Sequence, residues 1–185
     1  MIFFIERKLT MGKARRPIQI VILLLIVILG GYAIGTAVSG GEADKPKQGG
    51  NPPTFKLLGL DGQVHTLDDY KGKSVVLNFW ATWCTYCVKE MPALQAQWEK
   101  WRDQGVVVLG INTGEDEMTV QNFVKQTGVD FPILFDSDNT TTRDYGIVPM
   151  PTTFFIGKNG KITSIHQGEL NLDTLDDQIK QLVGL

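Results

Sequence analysis

The stretch that decides the fold runs from residue 74 to residue 92 and reads SVVLNFWATWCTYCVKEMP. Its first part, Ser74–Phe79, is a short apolar run rich in valine, which predicts a strand that is buried on both faces. The only two cysteines of the chain, Cys84 and Cys87, follow directly, and a helix is predicted from there to about Gln104. The sequence therefore places a cysteine pair between a buried strand and the N-terminus of a helix.

Outward from this stretch, strand patterns alternate with helix patterns. An Asp-Gly turn at residues 61–62 joins the first two strands in a short hairpin, and a second hairpin precedes a terminal helix. This order predicts an α/β sandwich with a mixed sheet. The remaining predicted strands are Thr54–Leu58, Gln63–Leu67, Val106–Asn112, Phe131–Phe135, Thr152–Ile156 and Lys161–Gln167, and the predicted helices are Met118–Thr127, Thr140–Tyr145 and Leu172–Leu182, the last capped by Asn171.

The N-terminal part of the chain has a different character. Residues 18–38 form an uncharged run that as a helix would be ~31 Å long, enough to cross a bilayer core. Five positive charges precede the run, which predicts a cytoplasmic segment 1–17, a transmembrane anchor 18–38 and a C-terminal part outside the cytoplasm. A cleaved signal peptide is the alternative, because small residues near Ser39 could form a cleavage site. The five basic residues are Arg7, Lys8, Lys13, Arg15 and Arg16.

Residues 39–53, rich in glycine, proline and charge, predict a flexible linker to a folded domain at residues 54–185. The chain has 18 Lys and Arg and 20 Asp and Glu, and after the basic N-terminus 13 basic residues face 19 acidic ones. The part of the chain after the basic N-terminus is too acidic to offer the basic surface that nucleic-acid binding requires. We therefore expect no nucleic-acid partner.

The cysteine pair carries the predicted chemistry. A helix N-terminus favours a thiolate, because its free N–H groups and partial positive charge stabilise the anion. One helix face carries Cys87, Met91, Leu94, Trp98 and Trp101 at spacings of 4, 3, 4 and 3 residues. This face must pack on the sheet, so Cys87 is expected to point inward and Cys84 to lie at the surface. In thiol-disulfide exchange Cys84 would then attack the partner and Cys87 would resolve the mixed disulfide.

Other interpretations of the pair are weaker but remain open. A zinc site would need two further ligands, and His65 and His166 are not in ligand spacing. A structural disulfide across two residues would restrain the unfolded chain little. A peroxidase of related fold would carry a proline together with a threonine before Cys84, and residues 78–83 contain no proline. A non-catalytic binding domain with an inert disulfide would show an unperturbed or inaccessible Cys84.

Glu90 follows Cys87 by three residues, hence on the same side of the helix. A carboxyl beside that apolar face would be partly desolvated, its pKa would be raised, and it could take a proton from Cys87. A solvated surface glutamate is the simpler alternative. Of the two tryptophans near the strand end, Trp80 is expected in the core, whereas Trp83 is expected to shield Cys84 and to offer the partner an apolar contact.

Two motifs then carry a resemblance. The first, NFWATWC-x-x-C-x-x-E-x-P at residues 78–92, resembles that of the ResA/TlpA group of membrane-anchored thioredoxin-like proteins, and the second, MPTTF at residues 150–154, resembles their second signature. The likeness covers residues 54–185. It implies an α/β, thioredoxin-like fold with an N-terminal β-hairpin and a central β-α insertion, preceded by one transmembrane helix.

The resemblance also implies site residues. It places a cis peptide bond before Pro151, facing the cysteines, where the backbone of Met150 could pair with an extended substrate segment. It places Glu90 and a second glutamate, Glu115, near the active site, although Glu115 also fits an ordinary acidic residue at a helix start. The predicted catalytic residues are thus Cys84, Cys87 and Glu90, and the predicted substrate-binding residues are Trp83, Glu115, Met150 and Pro151.

The activity that the resemblance implies is reduction of a disulfide in a protein substrate, apocytochrome c before haem attachment, with electrons from a membrane thiol carrier. Neither a metal nor an organic cofactor is implied. A reductase for spore-envelope proteins and a disulfide-forming oxidase or isomerase are the alternatives. Thr85 and Tyr86 stand between the cysteines where ResA-like proteins typically carry Glu-Pro. That dipeptide helps to set the reduction potential. Because Thr85 and Tyr86 replace it here, the direction of electron flow stays open.

Overall fold

The computed structural model describes the backbone of residues 15–39 and 45–185, and the side chains of residues 19–31 and 45–185. The chain divides into two units, residues 1–44 and residues 45–185. The described residues of the first unit form one helix, α1 (Arg15–Ser39). The second contains the sheet, the other helices and both cysteines.

Helix α1 covers the predicted transmembrane anchor, residues 18–38, and side chains 18 and 32–38 of that prediction lie outside the described residues. Over the part of the chain that is described, the structure contains no helix with both the length and the apolar character that crossing a membrane requires. The cytoplasmic segment predicted for residues 1–17 lies mostly outside the described residues.

The second unit follows the predicted order of elements closely. Asn171 is the N-cap of the last helix, as predicted, and its side chain accepts from the Thr174 N–H at 2.9 Å. A short 3₁₀ turn at Arg102–Gln104 extends the helix that follows the cysteines. In chain order the elements are β1 (Lys56–Gly59), β2 (Val64–Thr66), β3 (Ser74–Trp80), α2 (Thr85–Trp101), β4 (Val106–Thr113), α3 (Glu117–Thr127), β5 (Ile133–Asp136), α4 (Thr140–Asp144), β6 (Thr152–Ile156), β7 (Ile162–Gln167) and α5 (Leu172–Val183).

The seven strands form one mixed sheet in the order β2-β1-β5-β4-β3-β6-β7. Strand β3 pairs in parallel with β4 and antiparallel with β6, and all seven of its residues are buried. Its side chains alternate between two apolar layers, as a central strand requires. Val76 and Trp80 pack with α2 and α5, whereas Leu77 and Phe79 pack with Tyr145 on the opposite face.

Helix α2 packs on the sheet through the predicted stripe. Cys87, Met91, Leu94 and Trp101 are buried, and Trp98 is partly buried. Gly110 on β4 lies beside β3 in the same layer, and a Cβ there would come within 2.8 Å of the Ile133 side chain and 3.0 Å of the Trp80 indole nitrogen. The glycine thus lets the residues leading to the cysteines close tightly on the neighbouring strands.

The linker prediction for residues 39–53 is wrong in its second half. The Gly49 N–H donates to the Ile162 carbonyl at 2.7 Å, and the Ile162 N–H donates to the Gly50 carbonyl at 3.0 Å. The Tyr145 hydroxyl donates to the Pro53 carbonyl at 2.7 Å. Residues 45–53 therefore belong to the folded unit, because glycine and proline mark tightly bonded turns as readily as flexible chain. Residues 40–44 of the predicted linker lie outside the described residues.

Candidate active site

The cysteine pair lies where strand β3 gives way to helix α2. Cys84 is the N-cap residue of α2, and its sulfur accepts a hydrogen bond from the Cys87 N–H at 3.2 Å. The two residues form a disulfide with their Cα atoms 5.2 Å apart. Because a sulfur at this position replaces the oxygen that usually caps a helix, the Cys87 N–H of the first turn is directed at the reactive atom.

Burial of the two cysteines is unequal but does not match the prediction fully. Cys87 is 0% exposed and faces inward, as predicted. Cys84 is only 7% exposed, so the prediction that it lies openly at the surface is wrong. Its sulfur is drawn back by the bond to Cys87 and by the N–H that it caps, and it packs in the apolar layer of α2. Of the pair, only Cys84 retains surface that a partner could reach.

Exposed apolar side chains flank the pair. Trp83 is 66% exposed and Tyr86 is 58% exposed, and the Lys89 ammonium lies 5.2 Å from the centre of the Tyr86 ring. The exposure of Trp83 fits the predicted apolar contact with a partner. Tyr86 was not assigned such a role from the sequence, although its position between the cysteines marks it.

The segment before β6 lies at the same end of the sheet as the cysteines, because Thr152 pairs with Phe79 in the antiparallel register. The Met150–Pro151 peptide bond is cis, as the resemblance implied. Pro151 is buried, Met150 is half-buried, and Val148 just before them is 83% exposed. Roles for Met150 and Pro151 in substrate binding stay predictions.

Glu90 is buried rather than solvated. It lies on α2 with 1% of its surface exposed, so the alternative of a surface glutamate is wrong. The Asn78 amide donates to Glu90 Oε1 at 2.7 Å, and the Leu170 N–H donates to Oε2 at 2.9 Å. Burial raises the pKa of Glu90 to about 7; the two donors oppose this, and the charge of Glu169 adds to it. A carboxyl with such a pKa can exchange protons near neutral pH.

Glu115 lies between β4 and α3 and is half-buried. Its carboxylate accepts from the Thr82 N–H at 2.7 Å, from the Thr82 hydroxyl, and from the Asn112 amide at 2.7 Å. It does not cap helix α3, since Asp116 does so. Glu115 therefore ties the end of β4 to the loop two residues before Cys84, which brings it into the region the resemblance implied.

Sequence reasoning missed the polar residues that hold the two glutamates. These residues stand inside strands and loops that look purely structural, and their partners are distant in sequence, so spacing could not reveal the contacts. Asn78 is the one amide within the apolar run Ser74–Phe79, and this is the signal that could have led to Glu90. The missed residues are Asn78, Thr82, Asn112 and Thr153.

A disulfide at a helix N-terminus, one cysteine accessible and one buried, beside a cis proline and a buried carboxyl, is an arrangement for dithiol-disulfide exchange. The fold and site define a protein-disulfide oxidoreductase of thioredoxin-like fold, and comparison with known proteins agrees. The AhpC/TSA family model matches residues 49–165. The chain belongs to this family. Within the family it is similar to the proteins named thiol-disulfide oxidoreductase ResA.

The ResA of Bacillus subtilis (strain 168) is 38% identical over 165 residues, which cover 89% of this chain and 92% of that protein. Among solved structures, a candidate thiol:disulfide interchange protein DsbE from Chlorobium tepidum is 33% identical with a TM-score of 0.71, covering 76% of this chain and all of the other. StoA from Bacillus subtilis is 26% identical with a TM-score of 0.62, covering 69% of this chain and 97% of its own.

The raised pKa of Glu90 makes folding stability depend on pH. The pKa of the carboxyl is 4.5 in the unfolded chain and about 7 in the folded protein. Between these two pH values the unfolded state has already lost the proton that the folded state still holds, and this favours unfolding. The stabilisation is full below pH 4.5 and is lost as the pH rises through 7. As the pH rises from 4.5 to 8, we expect the free energy of unfolding of Glu90→Gln to increase by about 3 kcal/mol relative to that of the parent protein.

Urea unfolding of the oxidised protein at a series of pH values measures this difference. Glu99→Gln, at an exposed glutamate of the same helix, is the matched control and should leave the pH dependence unchanged. A parallel course for Glu90→Gln and the parent protein would show that the pKa of Glu90 is the same in the folded and unfolded states.

The unequal burial of the cysteines predicts a division of labour. Cys87→Ser should accumulate covalent complexes with substrate proteins through Cys84, because the buried thiol that would resolve them is gone. Cys84→Ser should accumulate few or none, since Cys87 has no exposed surface. Non-reducing electrophoresis of acid-quenched cells measures both, and complexes formed mainly through Cys87 would reverse the assignment.

Proposed function

We propose that this protein is a reductase that works outside the cytoplasm and reduces the disulfide in the haem-binding motif of apocytochrome c. The observation that carries the proposal is the Cys84–Cys87 pair at the start of α2, with the carboxyl of Glu90 buried on the same helix. The choice of substrate rests on the resemblance to the ResA/TlpA group and on the matches at Glu90, Glu115 and Pro151.

The reaction needs no cofactor to balance. The Cys84 thiolate attacks one sulfur of the substrate disulfide, a mixed disulfide forms, and the other substrate sulfur leaves as a thiolate. The Cys87 thiolate then attacks Cys84 and releases the second substrate thiol. Two electrons pass to the substrate, which ends as a dithiol, and the protein ends with the Cys84–Cys87 disulfide.

Each Cys87 attack requires that a buried thiol lose its proton. Burial in an apolar layer raises the pKa of a thiol, so an acceptor is needed nearby. Glu90 is three residues further along the same helix and has a pKa of about 7, which suits it to this task. The thiolate of Cys84 is favoured differently, by the N–H groups and the dipole at the helix start.

The protein must be reduced again after each turnover, and we propose a membrane thiol carrier as the source. A location at the cell membrane would serve this exchange, because tethering raises the effective concentration of carrier and of newly exported chains. Two features of the N-terminal unit support such a location: the five basic residues before residue 18, and ten apolar side chains, Ile20–Leu29, each at least half exposed.

Deletion of the gene should remove c-type cytochromes, and an added external thiol reductant should restore them, because free cysteine thiols are what haem attachment lacks. Haem staining of membrane proteins measures the result. The parent gene should complement the deletion, Cys84→Ser should not, and Lys73→Ala, at an exposed residue far from the cysteines in the fold, should complement fully. Normal cytochrome content with defective spore envelopes would favour the spore-envelope alternative.

The reduction potential separates a reductase from an oxidase. We expect a value nearer that of thioredoxin, about −270 mV, than that of DsbA, about −120 mV. Equilibration with glutathione buffers, followed by thiol alkylation and mass spectrometry, measures it. A value at the oxidising end would overturn the proposed direction while leaving the exchange chemistry in place.

The proposed location has its own test. Protease added to intact protoplasts should digest the folded unit, and it should remain with the membrane fraction before digestion. Complete protection would contradict export. Release of the unit into the medium without protease would contradict the anchor and favour a cleaved signal peptide.

A further inference from the structure

A buried polar cluster lies behind the cysteine pair, and its central residue has no role in the function proposed above. Asn78 on β3 is fully buried and donates two hydrogen bonds through its amide nitrogen. One goes to Glu90 Oε1 at 2.7 Å, and the other goes to the hydroxyl of Thr153 on β6 at 2.9 Å. Asn78 and Thr153 are directly paired in the sheet, which fixes their spacing.

The two oxygens of the Glu90 carboxyl face different donors, and only one of these donors can reverse its role. Oε2 faces the backbone N–H of Leu170, which can only donate. Oε1 faces the amide of Asn78. A proton on the lone pair of Oε1 that faces Asn78 would meet the donating end of that amide, and turning the amide removes this conflict.

The surroundings of Asn78 allow this turn. Its carbonyl oxygen is buried and has no hydrogen-bond partner among the described residues, so nothing there holds it in one orientation. After a half-turn the carbonyl oxygen can accept from the protonated Glu90. The hydroxyl of Thr153, which now accepts, can then donate to the same oxygen, because a hydroxyl serves in both roles.

We propose that Asn78 is the positioning residue for Glu90, and that its amide turns over each time the carboxyl gains or loses a proton. In both protonation states Glu90 and Thr153 thereby keep a hydrogen bond to the Asn78 side chain, without backbone movement. The mechanistic use of this device rests on the proposed function, in which Glu90 takes the proton of Cys87.

Other titratable groups surround the carboxyl and must be distinguished from Asn78. Glu169, in the loop before α5, raises the pKa of Glu90 through its charge. His166 on β7 is paired with Thr153 and so lies in the same row of the sheet. Cys87 titrates in the reduced protein only. The Asn78 amide acts against burial, because its hydrogen bond to Oε1 favours the ionised form.

The test follows the carboxyl itself. Carbon-13 NMR of the oxidised protein, labelled at the glutamate side-chain carbonyl, follows each glutamate through a pH titration and gives the midpoint of Glu90. The Glu90 signal is identified because it is missing from the spectrum of Glu90→Gln. We expect Asn78→Leu to raise this midpoint by about one pH unit or more, because the donor that favours the ionised form is removed. Asn112→Leu, which removes a matching amide donor from Glu115, should leave the Glu90 midpoint in place.

Two further variants separate the neighbours. Glu169→Gln should lower the Glu90 midpoint, and His166→Asn should leave it unchanged. In the parent protein, which needs no mutation to fold, the side-chain amide signals of Asn78 should change with the same midpoint as Glu90. Amide signals that stay constant through the titration, or an unchanged midpoint in Asn78→Leu, would overturn the proposal.

The two proposals can fail separately. The NMR titration uses the oxidised protein without a substrate, so it does not depend on catalysis. If Glu90→Gln leaves the pH profile of peptide-disulfide reduction unchanged, Glu90 is not the proton acceptor of the reaction. The coupling between Asn78 and Glu90 would still stand on the titration.

Discussion

The whole site depends on one constraint, the complete burial of strand β3 between two paired neighbours. A strand that is hydrogen-bonded on both edges and covered on both faces has no freedom to shift. The residues that leave its carboxyl end are therefore held in a fixed place relative to the sheet. Cys84 is four residues beyond Trp80, and the cis peptide bond at Met150–Pro151 is set opposite by the pairing of β6 with the same strand.

Two carboxyl groups near the cysteines have different physical roles. Glu115 accepts hydrogen bonds from Thr82 and Asn112, and these bonds hold the loop before Cys84 in place. Glu90 has fewer donors and almost no solvent, so its charge is poorly compensated. The raised pKa of Glu90 is therefore a property of its surroundings, since an isolated glutamate ionises at lower pH.

Much of the fold follows from local patterns that the sequence displays openly. The apolar run of β3, the helical stripe from Cys87 to Trp101 and the cap at Asn171 each depend on neighbouring residues, and each was predicted correctly. The inward position of Cys87 follows from the same stripe. The near-burial of Cys84 does not, because it arises from the disulfide and the N–H that its sulfur caps.

What could not be predicted involves partners far apart in the chain. The contact between Asn78 and Thr153 spans 75 positions, and that between Glu90 and Leu170 spans 80. Spacing rules for a single helix or strand carry no information about such pairs. The cis bond before Pro151 was expected only through resemblance, because most bonds before proline are trans.

The glycines at the start of the folded unit have a consequence for how the protein behaves among its own copies. Strand β7 ends the sheet on one side, and an uncovered edge strand invites pairing with another chain. Gly49 and Gly50 occupy the backbone groups of Ile162, where that edge begins. A fragment cut at residue 54 would retain every strand and both cysteines but would lose this cover. We expect such a fragment to be more prone to edge-to-edge self-association, because the backbone groups of Ile162 would then be open to another chain.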